Sequence, residues 1–280
     1  MIILLAGAGG QLGADLKDAL RDHQLHAFDH RGLDITDAGT VAATVERFRP
    51  NWVINAAAFN DVDGAESAAE QAFAVNAAGP GHLAAAAARA GGAILHVSTD
   101  YVFDGRKGSA YTEADQPNPL SVYARSKYEG ERRVLSSGAD ACVIRTAWLY
   151  GLHGRNFVTA ILAAAQRGGP LKVVADQVGS PTATQDLAAA IAGLIETPAR
   201  GLFHVVNSGA CSRFEFARAI VAGSPVEVRP ITTAQAGRVA ARPAYSALTS
   251  TRWASTGLPP LPPWQDALGR FLRQKQAAPH

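Results

Sequence analysis

Cysteine, net charge and long apolar runs are all scarce in this chain of 280 residues. Its two cysteines, Cys142 and Cys211, are too few to build a disulfide framework or a zinc cluster, which fits a reducing compartment. No run approaches the ~20 apolar residues that a membrane-spanning helix needs, and the N-terminal Met-Ile-Ile-Leu-Leu lacks the basic flank of a signal peptide. We therefore expect a cytoplasmic protein without a membrane partner.

An excess of one charge is also absent. The 26 Lys and Arg residues nearly balance the 24 Asp and Glu residues, and no basic block stands out, so a dedicated nucleic-acid surface is not expected. The histidines show no metal-ligand spacing, and no metal site is predicted. What is present is 48% apolar residues, which is typical of a globular protein with a sizeable core.

Short β-rich runs alternate with longer helical runs along the first 150 residues. Strands are predicted at residues 2–6, 26–28, 52–55, 93–97 and 142–146. Helices are predicted at residues 11–20, 38–48, 65–89 and 121–136. This alternation predicts an α/β fold, a Rossmann-type doubly wound parallel sheet with helices on both faces.

The alternation loosens after residue 150. Helices are predicted at residues 156–167, 185–196, 213–222 and 265–274, with a strand at 202–206. No linker or internal repeat separates these elements, so we expect a smaller, interleaved C-terminal substrate lobe. The predicted NAD(P)-binding domain is 1–150 plus about 183–208, and the predicted substrate lobe is about 151–182 and 209–280.

A glycine-rich turn follows the first strand and opens a helix. Gly7, Gly10 and Gly13 stand where a dinucleotide-binding turn needs a tight bend, a close approach of the pyrophosphate and close packing of helix on sheet, respectively. Asp29 ends the second strand, where an acid binds the ribose of NAD, but Arg31 would suit the 2′-phosphate of NADP. The pattern predicts a dinucleotide, although a glycine turn without a ligand has the same sequence.

Tyr123 and Lys127 lie four residues apart in a predicted helix, so their side chains share one face. The fourth strand leads into Ser98 and Thr99, and the carboxyl ends of parallel strands face the ligand crevice. Hydride transfer to a ketone requires a proton donor, and a nearby Lys cation should lower the pKa of a phenol from its usual value of about 10. Together these residues predict a proton-transfer set. Taken singly, Tyr123 also fits a half-buried helix position and Lys127 a solvated charge.

Further segments with a recognisable pattern cover nearly the whole chain, at residues 10–13, 33–37, 55–58, 62–66, 98–105, 123–127, 145–151, 176–182 and 242–243. Through them the chain resembles the extended short-chain dehydrogenase/reductase superfamily and, within it, the dTDP-4-dehydrorhamnose reductase family. The Tyr/Lys motif is common to the superfamily, whereas the segments at 98–103 and 176–182 are more specific. Two segments depart from the pattern: Phe59-Asn60-Asp61, and Ala244-Tyr245-Ser246 after Arg242-Pro243.

The resemblance implies NADPH-dependent reduction of the C4 keto group of dTDP-4-dehydro-L-rhamnose, a nucleotide-sugar, to dTDP-L-rhamnose, a precursor of bacterial surface polysaccharide. NADH is an alternative cofactor, and a monomer or homodimer is expected. Two other functions stay open: a reductase or epimerase of another nucleotide-bound 4-keto sugar, and a non-catalytic NADP-binding regulatory subunit. The intact Thr99, Tyr123 and Lys127 argue against the regulatory subunit.

The resemblance also implies roles for individual residues. Tyr123 is expected to donate the proton, Lys127 to bind cofactor and Thr99 to orient the transfer. Cofactor contacts are expected from Gly7, Gly10, Gln11, Leu12, Gly13, Asp29, Arg31, Asp34, Ile35, Ala56, Ala57, Ala58, Asn60, Val97, Tyr123 and Lys127. Substrate contacts are expected from Thr99, Asp100, Trp148, Gln177 and Arg242, although a core position for Trp148 and a surface position for Arg242 remain alternatives.

Overall fold

A computed structural model describes residues 1–277. Its strands are β1 (Ile2–Ala6), β2 (Gln24–Phe28), β3 (Trp52–Asn55), β4 (Ala93–Thr99), β5 (Asp140–Thr146), β6 (Leu149–Tyr150), β7 (Leu171–Val174), β8 (Val178–Gly179), β9 (Thr182–Ala183), β10 (Gly201–His204), β11 (Cys211–Ser212) and β12 (Val228–Ile231). Its α-helices are α1 (Gln11–Ala19), α2 (Ala38–Phe48), α3 (Ala69–Phe73), α4 (Gly79–Ala90), α5 (Val122–Leu135), α6 (Phe157–Arg167), α7 (Thr184–Leu194), α8 (Arg213–Ile220), α9 (Thr233–Ala236) and α10 (Trp264–Ala277).

Six parallel strands form the main sheet in the order β10-β5-β4-β3-β1-β2. Successive side chains of a strand point to opposite faces, and both faces of β1 are buried. Ile3 and Leu5 belong to the apolar cluster under α1 and α7, whereas Leu4 and Ala6 belong to the cluster under α2, α4 and α5. The predicted doubly wound Rossmann-type sheet is therefore confirmed.

The chain passes from β1 to the outer strand β2 and then returns to β3 on the other side of β1. This reversal is a topological switch point, and ligands of such sheets bind outside the carboxyl ends of the strands at that point. The fold thus places the binding crevice between the segments that follow β1 and β3. The glycine turn and residues 56–60 are those segments.

The second half of the chain packs around an aromatic cluster that includes Tyr150, Phe216, Trp264 and Phe271. Short strand pairs brace it: β7 with β12, β8 with β11 and β6 with β9. These pairs could not be predicted from the sequence, because each strand has only two to four residues. The division into two domains stays a prediction.

The long helical region predicted at about residues 65–89 is present, but it is not one regular helix. The region at residues 65–89 is divided into a 3₁₀ turn at Gly64–Glu66, then α3, a π-helical turn at Ala74–Ala78 and α4. The buried Asn76 lies in the π turn, where its side chain binds both backbone groups of Phe59 and the Ser126 hydroxyl. A π turn re-aims side chains at functional positions. Among the described residues, no helix combines the length and apolarity required to cross a membrane.

Candidate active site

Two adjoining cavities of about 280 and 520 Å³ form a crevice at the carboxyl end of the main sheet. Gly10, Ala56, Ala58 and Asn60 line both cavities, so the crevice is continuous across the switch point. The smaller cavity also contains the proposed catalytic residues. The larger one extends to the segment after β2.

The glycine turn is shaped by close backbone contacts. Gly7 has a φ of +86°, and a Cβ built on it would lie 2.4 Å from the Ala57 nitrogen. A Cβ on Gly13 would lie 2.2 Å from the Gly7 oxygen, whereas one on Gly10 finds its nearest atom, the same oxygen, at 3.3 Å. Only glycine therefore fits at positions 7 and 13. Gly10 instead faces the crevice, with Gln11 and Leu12 beside it.

The larger cavity is lined by the predicted adenosine-binding segment, including Asp29, Arg31, Asp34 and Ile35. Asp29 Oδ1 accepts hydrogen bonds from the backbone nitrogens of Arg31 and Gly32 at 3.0 and 2.9 Å, which holds this turn in shape. Asp34 accepts from both the nitrogen and the hydroxyl of Thr36, and these bonds lower the pKa of its carboxyl. A carboxylate and an exposed guanidinium therefore meet at one end of the cavity.

Thr99, Tyr123 and Lys127 meet on the wall of the smaller cavity, as the sequence predicts. The Tyr123 phenol lies beside the Thr99 hydroxyl, which donates to Asp100 Oδ1 at 3.1 Å, and Lys127 Nζ donates to the Val97 oxygen at 2.7 Å. All three side chains come from the end of β4 or the first two turns of α5. Ser121 caps that helix by accepting a hydrogen bond from the Ala124 nitrogen at 3.2 Å.

The expectation that Lys127 lowers the pKa of Tyr123 is wrong for this structure. Burial raises the pKa of the phenol above its usual value, the neighbouring Thr99 hydroxyl lowers it only in part, and the Asp100 charge raises it further. The Lys127 ammonium binds the Val97 carbonyl instead. Tyr123 is therefore a fully protonated phenol at neutral pH, which is the form that a proton donor requires.

Trp148 lies opposite Tyr123 in the lining of the smaller cavity. Its backbone adopts a φ of +47°, which is uncommon for a bulky residue, and a Cβ on Gly179 would lie 2.4 Å from its ring. On the ring lies Arg213, whose Cζ is 3.5 Å from a ring centroid. The Trp148 side chain is thus fixed between a glycine and a cation, and strain of this kind clusters at functional sites.

Arg213 was missed in the sequence because an arginine at the start of a helix carries no special signal. It follows Ser212, which caps α8, and its own nitrogen donates to the Gln177 oxygen at 3.1 Å. Among the described residues no carboxylate lies within 4 Å of its guanidinium, although the Asp100 charge acts on it. Asp100 is itself buried, bound by Ser246 Oγ at 2.5 Å, and its pKa is raised to about 6 by burial.

Two predicted substrate ligands do not line either cavity. The Gln177 side chain donates to Thr233 Oγ1 at 3.0 Å. The Arg242 guanidinium forms two hydrogen bonds with Asp63, at 3.0 and 2.9 Å, so an acid already neutralises its charge. The remaining predicted residues line the crevice, apart from Gly13, which packs behind the glycine turn.

A doubly wound sheet, a glycine turn at its switch point and a Thr/Tyr/Lys set beside that turn define an NAD(P)-binding short-chain dehydrogenase/reductase. The family model for the RmlD substrate binding domain matches residues 1–277. The dTDP-4-dehydrorhamnose reductase of Mycobacterium tuberculosis is 45% identical, with 96% of this chain and 92% of that one covered. A probable dTDP-4,6-dihydroxy-2-methyloxan-3-one 4-ketoreductase of Streptomyces antibioticus is 40% identical, with 99% and 96% covered.

A crystal structure of dTDP-4-dehydrorhamnose reductase from Bacillus anthracis, in complex with NADP, superposes with a TM-score of 0.95. It is 38% identical, and the match covers 98% of this chain and 99% of that one. This chain belongs to the dTDP-4-dehydrorhamnose reductase family, and the resemblance seen in its sequence is confirmed.

Proposed function

We propose that the protein reduces the C4 keto group of dTDP-4-dehydro-L-rhamnose with NADPH, giving dTDP-L-rhamnose for surface polysaccharide. The observation that carries this proposal is the position of Thr99, Tyr123 and Lys127 in a cavity continuous with the glycine turn. The names of full-length relatives support the reaction, and the NADP in the Bacillus anthracis structure supports the cofactor. A cytoplasmic location and a monomer or homodimer stay predictions.

The crevice fits a dinucleotide on its own geometry. Gly10 leaves the space beside the start of α1 free of side-chain atoms, and the backbone N–H groups at a helix N-terminus suit a pyrophosphate. We assign the adenosine end to the cavity with Asp29 and Arg31, where the exposed guanidinium suits a 2′-phosphate. Bound NADPH supplies the hydride that reduces the sugar carbon.

The chain itself supplies the proton. As negative charge develops on the substrate oxygen, the Tyr123 hydroxyl donates its proton. The neighbouring Thr99 hydroxyl, which donates to Asp100 Oδ1 before the transfer, can turn to donate to the phenolate that remains. A phenol of raised pKa is a weak acid, but an alkoxide is a stronger base than a phenolate, so the transfer runs towards the sugar. Lys127 adds a positive charge to the same wall and binds the cofactor ribose.

We assign the sugar and its diphosphate to the part of the cavity near Trp148. The part of the indole that lines the cavity offers apolar atoms to the deoxygenated side of a 6-deoxy sugar. Arg213, which stacks on that indole and lacks a carboxylate within 4 Å among residues 1–277, suits the diphosphate better than the neutralised Arg242 does. Asp100 offers a carboxyl to the sugar hydroxyls.

The test measures NADPH oxidation with a panel of nucleotide-bound 4-keto sugars, comparing wild type with Tyr123→Phe. We expect Tyr123→Phe to bind NADPH normally and to lose ~10²–10⁴-fold in kcat, the usual contribution of a general acid. Tyr128→Phe is the matched control, because Tyr128 lies on the same helix outside the crevice lining. Wild-type turnover by Tyr123→Phe would refute the assignment.

Names among the relatives favour one second candidate, a reductase of another dTDP-bound 4-keto sugar. The same panel decides between them, because the preferred sugar has the highest kcat/KM. Turnover without net consumption of NADPH would indicate an epimerase. NADPH binding without turnover of any sugar would indicate a regulatory subunit.

A further inference from the structure

A buried charged cluster lies beneath the proposed catalytic residues and takes no part in the proton transfer. Glu131 Oε1 accepts hydrogen bonds from Ser98 Oγ at 2.5 Å and from Arg145 Nε at 2.9 Å, and its Oε2 accepts from Arg145 Nη2 at 2.7 Å. The Glu131 and Arg145 side chains are 2% and 3% exposed. A charged pair buried this deeply contributes little net stability, because removing the charges from water offsets their attraction. Its presence at this position therefore needs an explanation other than stability.

The cluster joins the elements that carry the catalytic set. Ser98 and Arg145 are register partners at the ends of β4 and β5, and each precedes a residue of the crevice lining, Thr99 and Thr146. Glu131 reaches both strands from α5. It therefore fixes the helix that carries the proton donor against the strand that carries the Thr99 hydroxyl.

Glu131 also lies one helical turn after Lys127 and two turns after Tyr123, so all three share a face of α5. Lys127 is 2% exposed, and burial lowers the pKa of its ammonium to about 8, while the Glu131 charge raises it. The neighbouring His96 on β4 stays neutral, because burial and the Lys127 charge hold its pKa well below the usual value.

Other titratable groups on the elements around α5 do not replace Glu131. Glu66 accepts a hydrogen bond from the Val122 nitrogen at the start of the helix, and Asp100 is bound to Ser246. Arg145 on β5 carries a positive charge, so it opposes a charged Lys127. Among the titratable groups of residues 1–277, Glu131 is the one whose negative charge favours the ammonium, to which the Val97 carbonyl adds a hydrogen bond at 2.7 Å.

We propose that Glu131 is a positioning residue, whose carboxylate places a negative charge one helical turn from Lys127 and holds α5 in place against the ends of β4 and β5. The inference rests on the proposed function, which assigns Lys127 to cofactor binding. Its own test is electrostatic and does not require turnover. Without the carboxylate, Lys127 and Arg145 would be two cations in a buried space, and Lys127 would lose its proton near neutral pH.

The first measurement is an NMR titration of the full chain labelled with ¹³C at the lysine Cε. The chain has five lysines, and the other four are exposed, so Lys127 is identified by its low midpoint and by the loss of its signal in Lys127→Arg. We expect Glu131→Gln to lower the midpoint by about one pH unit, the smallest usual effect of an adjacent charge. Arg145→Gln should raise it, because Glu131 then acts on Lys127 alone.

Glu131→Gln and Arg145→Gln break the same ion pair. If Glu131 only holds the fold together, both variants lose stability to the same extent and the Lys127 midpoint does not change. An unchanged midpoint in both overturns the proposal. Glu131→Gln/Arg145→Gln, which leaves no unpaired charge in the cluster, is the fallback if a single variant does not fold. Its midpoint should fall below that of the wild type, because the charge nearer to Lys127 is lost.

The second measurement is the pH profile of kcat/KM. We expect its basic limb to move to lower pH in Glu131→Gln and to higher pH in Arg145→Gln, by the same amounts as the NMR midpoints. If the midpoints move and the profiles do not, the inference about Glu131 holds and the proposed role of Lys127 fails. The two failures are therefore distinguishable.

Discussion

The two walls of the crevice are built in opposite ways. The glycine wall, formed by Gly7, Gly10, Gly13 and Ala56–Ala58, brings backbones so close that an added Cβ would lie 2.2–2.4 Å from another backbone atom at two positions. The charged wall, formed by Ser98 and Lys127 with Glu131 and Arg145 packed behind them, buries two cations and an anion, each less than 4% exposed. One wall is shaped by the absence of side chains and the other by their charges.

This difference predicts which substitutions destabilise each wall. The glycine wall should reject an added methyl group whatever its polarity, because the obstacle is steric. The charged wall should tolerate changes of shape better than the loss of a single charge, because an unpaired buried ion is more unfavourable than an apolar side chain of the same volume. Three stability experiments examine this comparison.

The largest effect is expected from breaking the buried ion pair. Arg145→Met leaves Glu131 charged and unpaired, and removing one partner of a buried pair costs ~3–5 kcal/mol. Glu131→Leu/Arg145→Met replaces both partners by apolar groups and should recover most of that loss. The measurement is urea unfolding of wild type, both single variants and the double variant.

The double-mutant cycle carries its own control, because only coupling between the two sites makes the double variant more stable than Arg145→Met. Additive losses at the two positions would contradict the description of this wall as electrostatic. The double variant should still lose activity, since Lys127 then lacks its anion. The double variant should therefore be stable but inactive.

A smaller effect is expected at the glycine wall. Gly13→Ala places a Cβ 2.2 Å from the Gly7 oxygen, and we expect a loss of ~3 kcal/mol, at the upper end for overpacking. Gly10→Ala meets its nearest atom at 3.3 Å, so it should unfold at nearly the wild-type urea concentration. It should instead weaken NADPH binding, because its methyl group faces the space assigned to the pyrophosphate.

Unfolding and fluorescence titration with NADPH are measured on both variants. Gly81→Ala is the matched control, since Gly81 lines neither cavity and a Cβ there meets the flexible Arg133 side chain at 3.3 Å. If Gly10→Ala binds NADPH as tightly as Gly81→Ala does, the assignment of the pyrophosphate to Gly10 is wrong.

The glycine wall could be predicted from the sequence more fully than the charged wall. The roles of Gly7, Gly10 and Gly13 follow from their spacing alone and do not depend on the rest of the chain. The structure has the close contacts expected at Gly7 and Gly13. Tyr123 and Lys127 follow from helical spacing alone. Glu131 continues the same face one turn later, a signal that was present in the sequence and was not used.

Other features of the site could not be predicted because they depend on distant contacts. Asn76 acts through a π turn that no local pattern marks, and Arg213 reaches Trp148 only because β8 pairs with β11. The pKa of Tyr123 was predicted in the wrong direction, since sequence spacing gives the neighbour but not the burial. The main sheet was predicted because its strands are long and apolar, and the two-residue strands were not.

The smallest effect is expected at a second ion pair, Asp63–Arg242, which is more exposed than the Glu131–Arg145 pair. The Asp63 and Arg242 side chains are 27% and 14% exposed, and their hydrogen bond is 2.9 Å long. The hydrogen bond from Arg242 lowers the pKa of Asp63 from 3.8 to about 2. The folded protein therefore binds fewer protons than the unfolded chain between these values, so the pair stabilises the fold above about pH 4 and loses this effect as the pH falls towards 2.

We expect Asp63→Asn to cost ~1 kcal/mol at pH 7, the upper end for pairs open to solvent. The loss should shrink as the pH falls from 4 towards 2, since the unfolded chain takes up the Asp63 proton near pH 3.8 and the folded ion pair is protonated only near pH 2. Thermal unfolding of both proteins across these pH values measures the difference, and 1 M NaCl should reduce it because the pair is partly exposed. If Asp63→Asn loses as much stability as Arg145→Met and salt does not reduce that loss, solvent exposure does not explain the difference expected between the two ion pairs.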